Sequence, residues 1–254
     1  MQQLDFIILG GGASGLQLAY RLSNHAAFEN ASILILESNK QKGNDRTWCY
    51  WETGDGEWDD MLQNQWKKVQ FKSKNVDKII DLGSASYKML RSKAYYDRLH
   101  QSLAKNKSIQ IVYAQCTGFV DEGTHVIVNT DKQTYRCSNL FNSVFDWKVL
   151  NKQSRYPVLQ QHFLGWYIKT PRPLFDTETA VFMDFTVAQH QETRFMYVLP
   201  YTQTEALIEY TLFSKELLDK SEYEDAIRDY LQDKNITDYQ LIEVEQGSIP
   251  MCSY

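Results

Sequence analysis

The opening 37 residues constrain this chain more than any other stretch. Leu4-Asp5-Phe6-Ile7-Ile8-Leu9 is a short apolar run of β-formers. Gly10-Gly11-Gly12-Ala13-Ser14-Gly15 follows directly, and Leu16-Gln17-Leu18-Ala19-Tyr20-Arg21-Leu22 then repeats apolar residues at helical spacing. A second apolar run, Ile33-Leu34-Ile35-Leu36, ends on Glu37. Strand, glycine turn, helix, strand and acid make one βαβ unit. Gly10 permits the tight turn out of the strand, Gly12 lets the backbone approach a pyrophosphate, and Gly15 lets the helix lie close to the sheet. The free N–H groups and the positive end of the helix dipole then favour a phosphate. Glu37 arrives about 20 residues after the last glycine, where a carboxylate can accept hydrogen bonds from ribose hydroxyls. A dinucleotide is expected here, FAD at least as readily as NAD.

The 254 residues suffice for one large domain or two modest ones. A net charge of -5 leaves no basic surplus for phosphates, so no nucleic-acid partner is expected. Cys49, Cys116, Cys137 and Cys252 form no C-x-x-C pair, which points to free thiols rather than a zinc site or disulfide framework. No other metal-ligand pattern is evident. No secretory leader pattern precedes the first strand, and no apolar run reaches the ~18 residues of a membrane span. A cytoplasmic location is expected.

After Glu37 a polar loop leads to an aromatic stretch, Asp45-Arg46-Thr47-Trp48-Cys49-Tyr50-Trp51. Residues 66–71 and 78–81 read as short strands of an excursion into a second sheet. Residues 92–104 read as a helix with Tyr95, Leu99 and Leu103 on one face, and 109–113 as a strand. Residues 117–121, 125–129 and 134–136 suggest a meander, and 140–146 a strand returning to the nucleotide sheet and ending on Asp146. From Tyr156 four β-rich runs, 161–168, 180–185, 193–199 and 205–213, imply an antiparallel sheet. A helix over 215–231 with Ser214 as its cap and a last strand over 241–246 complete the pattern. The expected architecture is α/β. A Rossmann-like dinucleotide-binding domain with a parallel sheet takes residues 1–70 and 91–150. An antiparallel-sheet substrate domain takes 71–90 and 151–254.

Several of these stretches resemble the lycopene cyclase family of flavoproteins, the β-cyclases of bacterial carotenoid pathways. They are the glycine fingerprint, the arginine-threonine-tryptophan-cysteine stretch at 46–49, and Gln161-His162-Phe163-Leu164-Gly165-Trp166. Met183-Asp184-Phe185, Phe195-Met196-Tyr197-Val198-Leu199-Pro200 and Gly247-Ser248-Ile249-Pro250-Met251 extend the resemblance over essentially the whole chain. The family's phenylalanine-leucine-glutamate-glutamate-threonine motif falls on Leu207-Ile208-Glu209-Tyr210-Thr211, with Tyr210 in place of the second glutamate. The resemblance also implies a further C-terminal part with a glycine-rich segment closing over the flavin. The chain is therefore read as a truncated cyclase, expected to bind FAD weakly and to cyclise nothing alone.

What the resemblance implies is a flavin hydroxylase-type fold and an isomerase, an intramolecular lyase that folds the linear ends of lycopene into β-ionone rings. It implies reduced FAD without net redox change, NAD(P)H as the reductant, a polyene substrate and a peripheral seat on a membrane surface. Such chemistry needs an acid kept protonated in an apolar pocket, a base, and aromatic faces to hold a cation. Glu209 and Asp184 are the candidate catalytic carboxyls. Gly10, Gly12, Gly15, Glu37, Arg46, Arg91 and Asp146 are the candidate cofactor contacts. Trp48, Trp51, His162, Trp166 and Tyr197 are the candidate substrate-lining residues, with Tyr50 and Phe195 beside them. Each has a plainer alternative: an outward strand glutamate, a hydrogen-bonded structural acid, a satisfied core histidine, a surface arginine, an aromatic core. A flavin-dependent monooxygenase or halogenase, and an inactive cyclase fragment, are the competing functions.

Overall fold

The computed structural model describes residues 3–40, 42–146, 149–150 and 155–252. The chain divides into two compact units, one of residues 1–47 and 91–146, the other of 48–90 and 147–254. Elements are numbered in chain order.

In the first unit, β1 (Gln3–Leu9), β2 (Ile33–Glu37), β8 (Ile109–Tyr113), β9 (Cys116–Asp121), β10 (Val126–Thr130) and β11 (Thr134–Asn142) form one sheet. Its order is β8-β2-β1-β11-β10-β9. The first four strands are mutually parallel, while β10 is antiparallel to both β11 and β9. All five residues of β2 are buried, as expected of a parallel strand covered on both faces. Helix α1 (Ala13–Ser23) buries Leu16, Ala19 and Leu22, and α2 (Ser92–Leu103) buries Tyr95, Tyr96, Leu99 and Leu103. The meander's third strand and the returning strand prove to be one strand, β11. Its middle residues Ser138 and Asn139 are polar because they are exposed, which breaks the apolar run although the strand continues. It ends at Asn142, so Asp146 lies beyond it.

The second unit begins within β3 (Thr47–Thr53) and its first segment ends within β7 (Ala85–Arg91). These two and β4 (Leu62–Trp66) form a three-stranded sheet of order β3-β7-β4. A seven-stranded sheet has the order β16-β12-β15-β14-β13-β5-β6. It contains β5 (Lys68–Ser73), β6 (Val76–Asp81), β12 (Val158–Lys169), β13 (Thr179–Asp184), β14 (Thr193–Pro200), β15 (Glu205–Ser214) and β16 (Gln240–Cys252). All its pairings are antiparallel except β13 with β5. Residues 48–70, expected in the nucleotide domain, therefore fall in the second unit. Trp66 explains part of this: it is fully buried, and its indole N–H donates to the Pro200 carbonyl at 3.1 Å.

The seven-stranded sheet has two differently dressed faces. One packs Leu164, Trp166, Ile208, Tyr210 and Leu212 against Tyr223, Ile227, Tyr230 and Leu231 of helix α3 (Lys220–Asp233). The other groups Tyr167, Ala180, Leu199 and Leu207 with Trp66, Tyr87 and Met89. Helix α3 starts later than the pattern suggested. Ser214 ends β15, and Asp219 is the N-cap, its N–H bonded to the Glu222 carboxylate at 2.9 Å. Strand β16 runs beyond residue 246 through Gly247 and Pro250; a proline is tolerated there because β16 is an edge strand. Among the described residues no helix is long and apolar enough to cross a membrane.

Candidate active site

The glycine turn is built as its residue types require. Gly10 has φ +93°, and a Cβ there would meet the Ser143 hydroxyl oxygen at 2.6 Å. A Cβ on Gly15 would stand 1.9 Å from the Gly10 carbonyl oxygen, so only glycine lets α1 leave the turn this closely. Gly12 differs: nothing lies within 4 Å of its Cβ position. It is the N-cap of α1, supplies no side-chain cap, and the first turn carries no acidic residue. The helix start therefore keeps N–H groups for a ligand. A cavity of about 600 Å³ opens here, lined in part by Gly10, Gly12, Ser14, Glu37, Lys42 and Asp146.

Glu37 is buried at the end of β2 and has a structural task. Its carboxylate accepts the Gly11 N–H at 2.7 Å and the Asn39 N–H at 2.7 Å, and pairs with Lys42 at 2.6 Å. Burial raises its pKa, but the Lys42, Asn39 and Gly11 hydrogen bonds outweigh burial and leave it lowered. Glu37 thus pins the glycine loop as well as facing the cavity. Arg46 and Arg91 do not line that cavity. Arg46 is exposed, its guanidinium donating to the Asp45 carbonyl at 2.5 Å, and its backbone is tied to Ser92 in both directions. Arg91 is buried as the residue preceding α2.

In the second unit the register brings a row of residues across the seven-stranded sheet. Gly165 on β12 pairs with Glu209 on β15 and with Glu245 on β16, and Glu209 pairs in turn with Tyr197 on β14. Directly paired residues point to the same face. A Cβ at Gly165 would strike Leu207 Cδ1 at 2.8 Å and crowd Glu209 Cβ at 3.4 Å, so the glycine of the histidine-phenylalanine-x-glycine-tryptophan stretch makes room for the acid. Burial pushes the Glu209 carboxyl up to about 7; a 2.7 Å hydrogen bond from the Thr211 hydroxyl opposes this, and the nearby Glu245 charge adds to it. At neutral pH a large fraction of Glu209 therefore keeps its proton.

Aromatic rings surround this acid. Tyr197 packs edge-on against Phe195 and Phe182, with centroids 5.1 and 5.8 Å apart, and Trp51 lies 5.2 Å from Phe182 and 4.6 Å from Tyr87. Burial pushes the Cys49 thiol up to about 12, against a bond with the Tyr87 hydroxyl and with help from Glu209 and Glu245. Burial likewise raises the Tyr87 and Tyr197 hydroxyls. These shifts show an environment hostile to negative charge, in which a proton on Glu209 is retained.

Asp184 is not brought to Glu209. It sits on the other face, opposite Met196, fully buried. Its carboxylate accepts the Thr186 N–H at 3.0 Å, the Thr186 hydroxyl at 2.5 Å and the Tyr230 hydroxyl at 2.9 Å, with Lys234 at 3.6 Å. Burial works against its charge, but these partners prevail and lower its pKa. His162 is also on this face, bonded through Nδ1 to the Tyr223 hydroxyl at 2.5 Å and through Nε2 to the Ser214 hydroxyl at 2.7 Å. Ser214 gives its own proton to the Glu216 carbonyl, so Nε2 donates to it, and burial lowers the His162 pKa, which favours the neutral ring with Nδ1 accepting from the Tyr223 hydroxyl. Trp166 packs in the α3 core beneath Arg228, 5.6 Å from its ring, and its indole N–H has no partner among the described residues. Trp48 alternates to the side of β3 away from Cys49 and Trp51. Sequence reasoning missed Glu245. It is the single buried residue of β16, and its signal is the pairing with Gly165, which only the register supplies.

Several solved proteins share this course of chain. The amino acid oxidase NikD superposes with TM-score 0.70 at 12% identity, over 99% of this chain and 82% of that one. A geranylgeranyl bacteriochlorophyll reductase-like protein from Thermoplasma acidophilum gives 0.68 at 12% identity, over 98% and 66%. The halogenase PltM in complex with phloroglucinol and FAD gives 0.63 at 11% identity, over 97% and 59%. The fold is thus of the mixed α/β class these proteins share, with one Rossmann-like parallel-sheet unit and one largely antiparallel-sheet unit. Within that class, residues 5–253 match the family described as lycopene cyclase protein, and the chain belongs to it. Two curated relatives are lycopene beta-cyclases: one from Pseudescherichia vulneris, 26% identical over 255 residues, and one from Pantoea ananas, 23% identical over 263. Each alignment covers 97% of this chain but only 61% and 62% of the relative.

Proposed function

We propose that this chain forms the nucleotide-binding and acid-bearing part of a lycopene β-cyclase. Such an enzyme is an isomerase that closes the linear ends of lycopene into β-ionone rings, giving γ- and β-carotene. The observation that carries the reading is Glu209, a carboxyl pushed up to about 7 on an aromatic sheet face. It donates the initiating proton to a terminal double bond. Tyr197, Phe182 and Trp51 present ring faces and edges near it; a ring face is worth up to ~2 kcal/mol to a cation when water is excluded. The same apolar lining keeps water from trapping the cation as an alcohol. Asp184, read from sequence as a second catalytic acid, is better suited to anchoring α3 through Tyr230.

The cavity beside Gly10, Gly12 and Ser14 has the size, helix start and open glycine that the ADP part of FAD requires, with Glu37 as the ribose acceptor. Asp146 lines the same cavity. Reduced flavin, with NAD(P)H as its source of electrons, would supply negative charge against the developing cation without net redox change. The substrate dissolves in lipid, which favours work at the cytoplasmic surface of a membrane.

The test is expression of the natural gene product in cells that accumulate lycopene, with pigments resolved by chromatography. Ring formation without oxygen uptake is expected, and Glu209→Gln should lower it by about a hundredfold or more. Oxygen uptake with a hydroxylated or halogenated product would instead favour a monooxygenase-type enzyme. For the cofactor, Gly12→Val should fold normally yet lose FAD, because its side chain enters only the empty space beside the helix start.

A further inference from the structure

Ring closure consumes one proton and releases another, and the structure offers a partner for the second event. Glu245 is buried within a strand whose apolar residues Leu241, Ile242, Val244, Ile249 and Met251 are exposed, the reverse of ordinary burial preference. A carboxylate is turned inward there while isoleucine and leucine are left outside, and it faces the same side as Glu209. Both glutamates are registered on Gly165, one from each flanking strand. Their Cα atoms are two strand spacings apart, about 10 Å. Gly165 itself puts no side chain between them, and Leu207 Cδ1 and the Glu209 side chain use the space a Cβ there would take. The Tyr167 hydroxyl donates to Glu245 Oε2 at 3.2 Å, which fixes that carboxylate from β12.

We propose that Glu245 is the proton acceptor paired with Glu209 across Gly165, so that acid and base of ring closure are two glutamates flanking one glycine. This rests on the cyclisation reading above. Glu209 gives its proton to the terminal carbon–carbon double bond; its O–H bond breaks and a C–H bond forms. The neighbouring double bond contributes its electron pair to the new ring bond and leaves the cation one position on. Glu245 takes a proton from the adjacent ring carbon, whose C–H pair becomes the ring double bond. One proton has entered and one has left, so the product is an isomer and no oxidant is required. Glu209 ends ionised and Glu245 protonated, and proton exchange with solvent after the product leaves restores the pair.

The groups facing Glu209 are Glu245 from β16, Tyr167 from β12, Tyr197 from β14, Tyr87 from β7 and Cys49 from β3, with the Thr211 hydroxyl on its own strand. Among them Glu245 is the one carboxylate, so its removal should ease ionisation of Glu209. The experiment is an infrared titration of carboxyl groups in the flavin-loaded natural protein, alongside ring formation from lycopene in vesicles. The native protein should show a carboxyl titrating near neutral pH that is absent in Glu209→Gln. In Glu245→Gln that titration should move to lower pH and turnover should fall about a hundredfold, with flavin content and circular dichroism unchanged. Glu245→Asp should recover part of both. An unmoved titration, or unchanged turnover, in Glu245→Gln overturns the pairing even where Glu209 titrates as described. Absence of any neutral-range carboxyl from the native protein overturns the Glu209 assignment first, and the pairing with it.

Discussion

Asp184 and Glu209 stand two strands apart in one sheet, and the two faces treat them in opposite ways. On the α3 face, Asp184 is fully buried yet meets three hydrogen-bond donors and the Lys234 ammonium, so its charge is held. On the aromatic face, Glu209 has one hydroxyl donor, an acidic neighbour and rings, so its proton is held. Burial opposes the charge of both acids, and the supply of donors decides which of them keeps it. A buried acid with enough donors is a structural anchor, and a buried acid with too few is a proton source.

The contrast can be broken most strongly at Asp184. Asp184→Asn keeps the shape but replaces an acceptor that holds Thr186, Tyr230 and Lys234, and should cost about 3 kcal/mol in chemical denaturation. Because its pKa is lowered by folding, its stabilisation is present above the ordinary value and lost as pH falls through the folded one. Glu209 runs the other way. Its folded value of about 7 exceeds the ordinary 4.5, so the native state loses stability as pH rises between those values. Glu209→Gln should therefore gain roughly 2 kcal/mol on the wild type between pH 5 and pH 8. A flat difference across that range would show that the carboxyl ionises freely. The smallest effect is expected at His162→Phe, about 1 kcal/mol, from the Tyr223 and Ser214 hydroxyls losing their partner. Burial lowers the His162 pKa, so wild-type stability should fall as pH drops through the ordinary 6.5, and the variant's should not fall there.

The sequence carried the first unit well because its signals are local. A buried parallel strand, a glycine turn and an amphipathic helix are each written in consecutive residues, and Gly10, Gly12 and Gly15 occupy the places their spacing suggests. The second unit was legible as four β-rich runs but not as a surface. Asp184 and Glu209 look alike in sequence, each an acid between apolar residues, and which face each takes depends on the bulge in β13 and the register of β14 and β15. Glu245 was hidden for the same reason, since its burial arises from pairing with a strand far earlier in the chain. His162 and Trp166 read more readily as core than as lining, and in the fold both pack against α3.

Each unit is made of two separate stretches of chain, interleaved along the sequence. Strands β1 and β2 must wait for β8 and β11, and the β5–β6 hairpin must wait for β13. A nascent chain that has emerged only as far as β7 therefore holds the small β3-β7-β4 sheet but neither of the two larger sheets, and displays the apolar Ile33–Leu36 run of β2 to the ribosome's surroundings. Non-local pairing of this kind slows folding and prolongs the exposure of sticky strands. Synthesis of this protein should consequently lean on chaperones, and slowing translation just after β7 should lower the yield of soluble product.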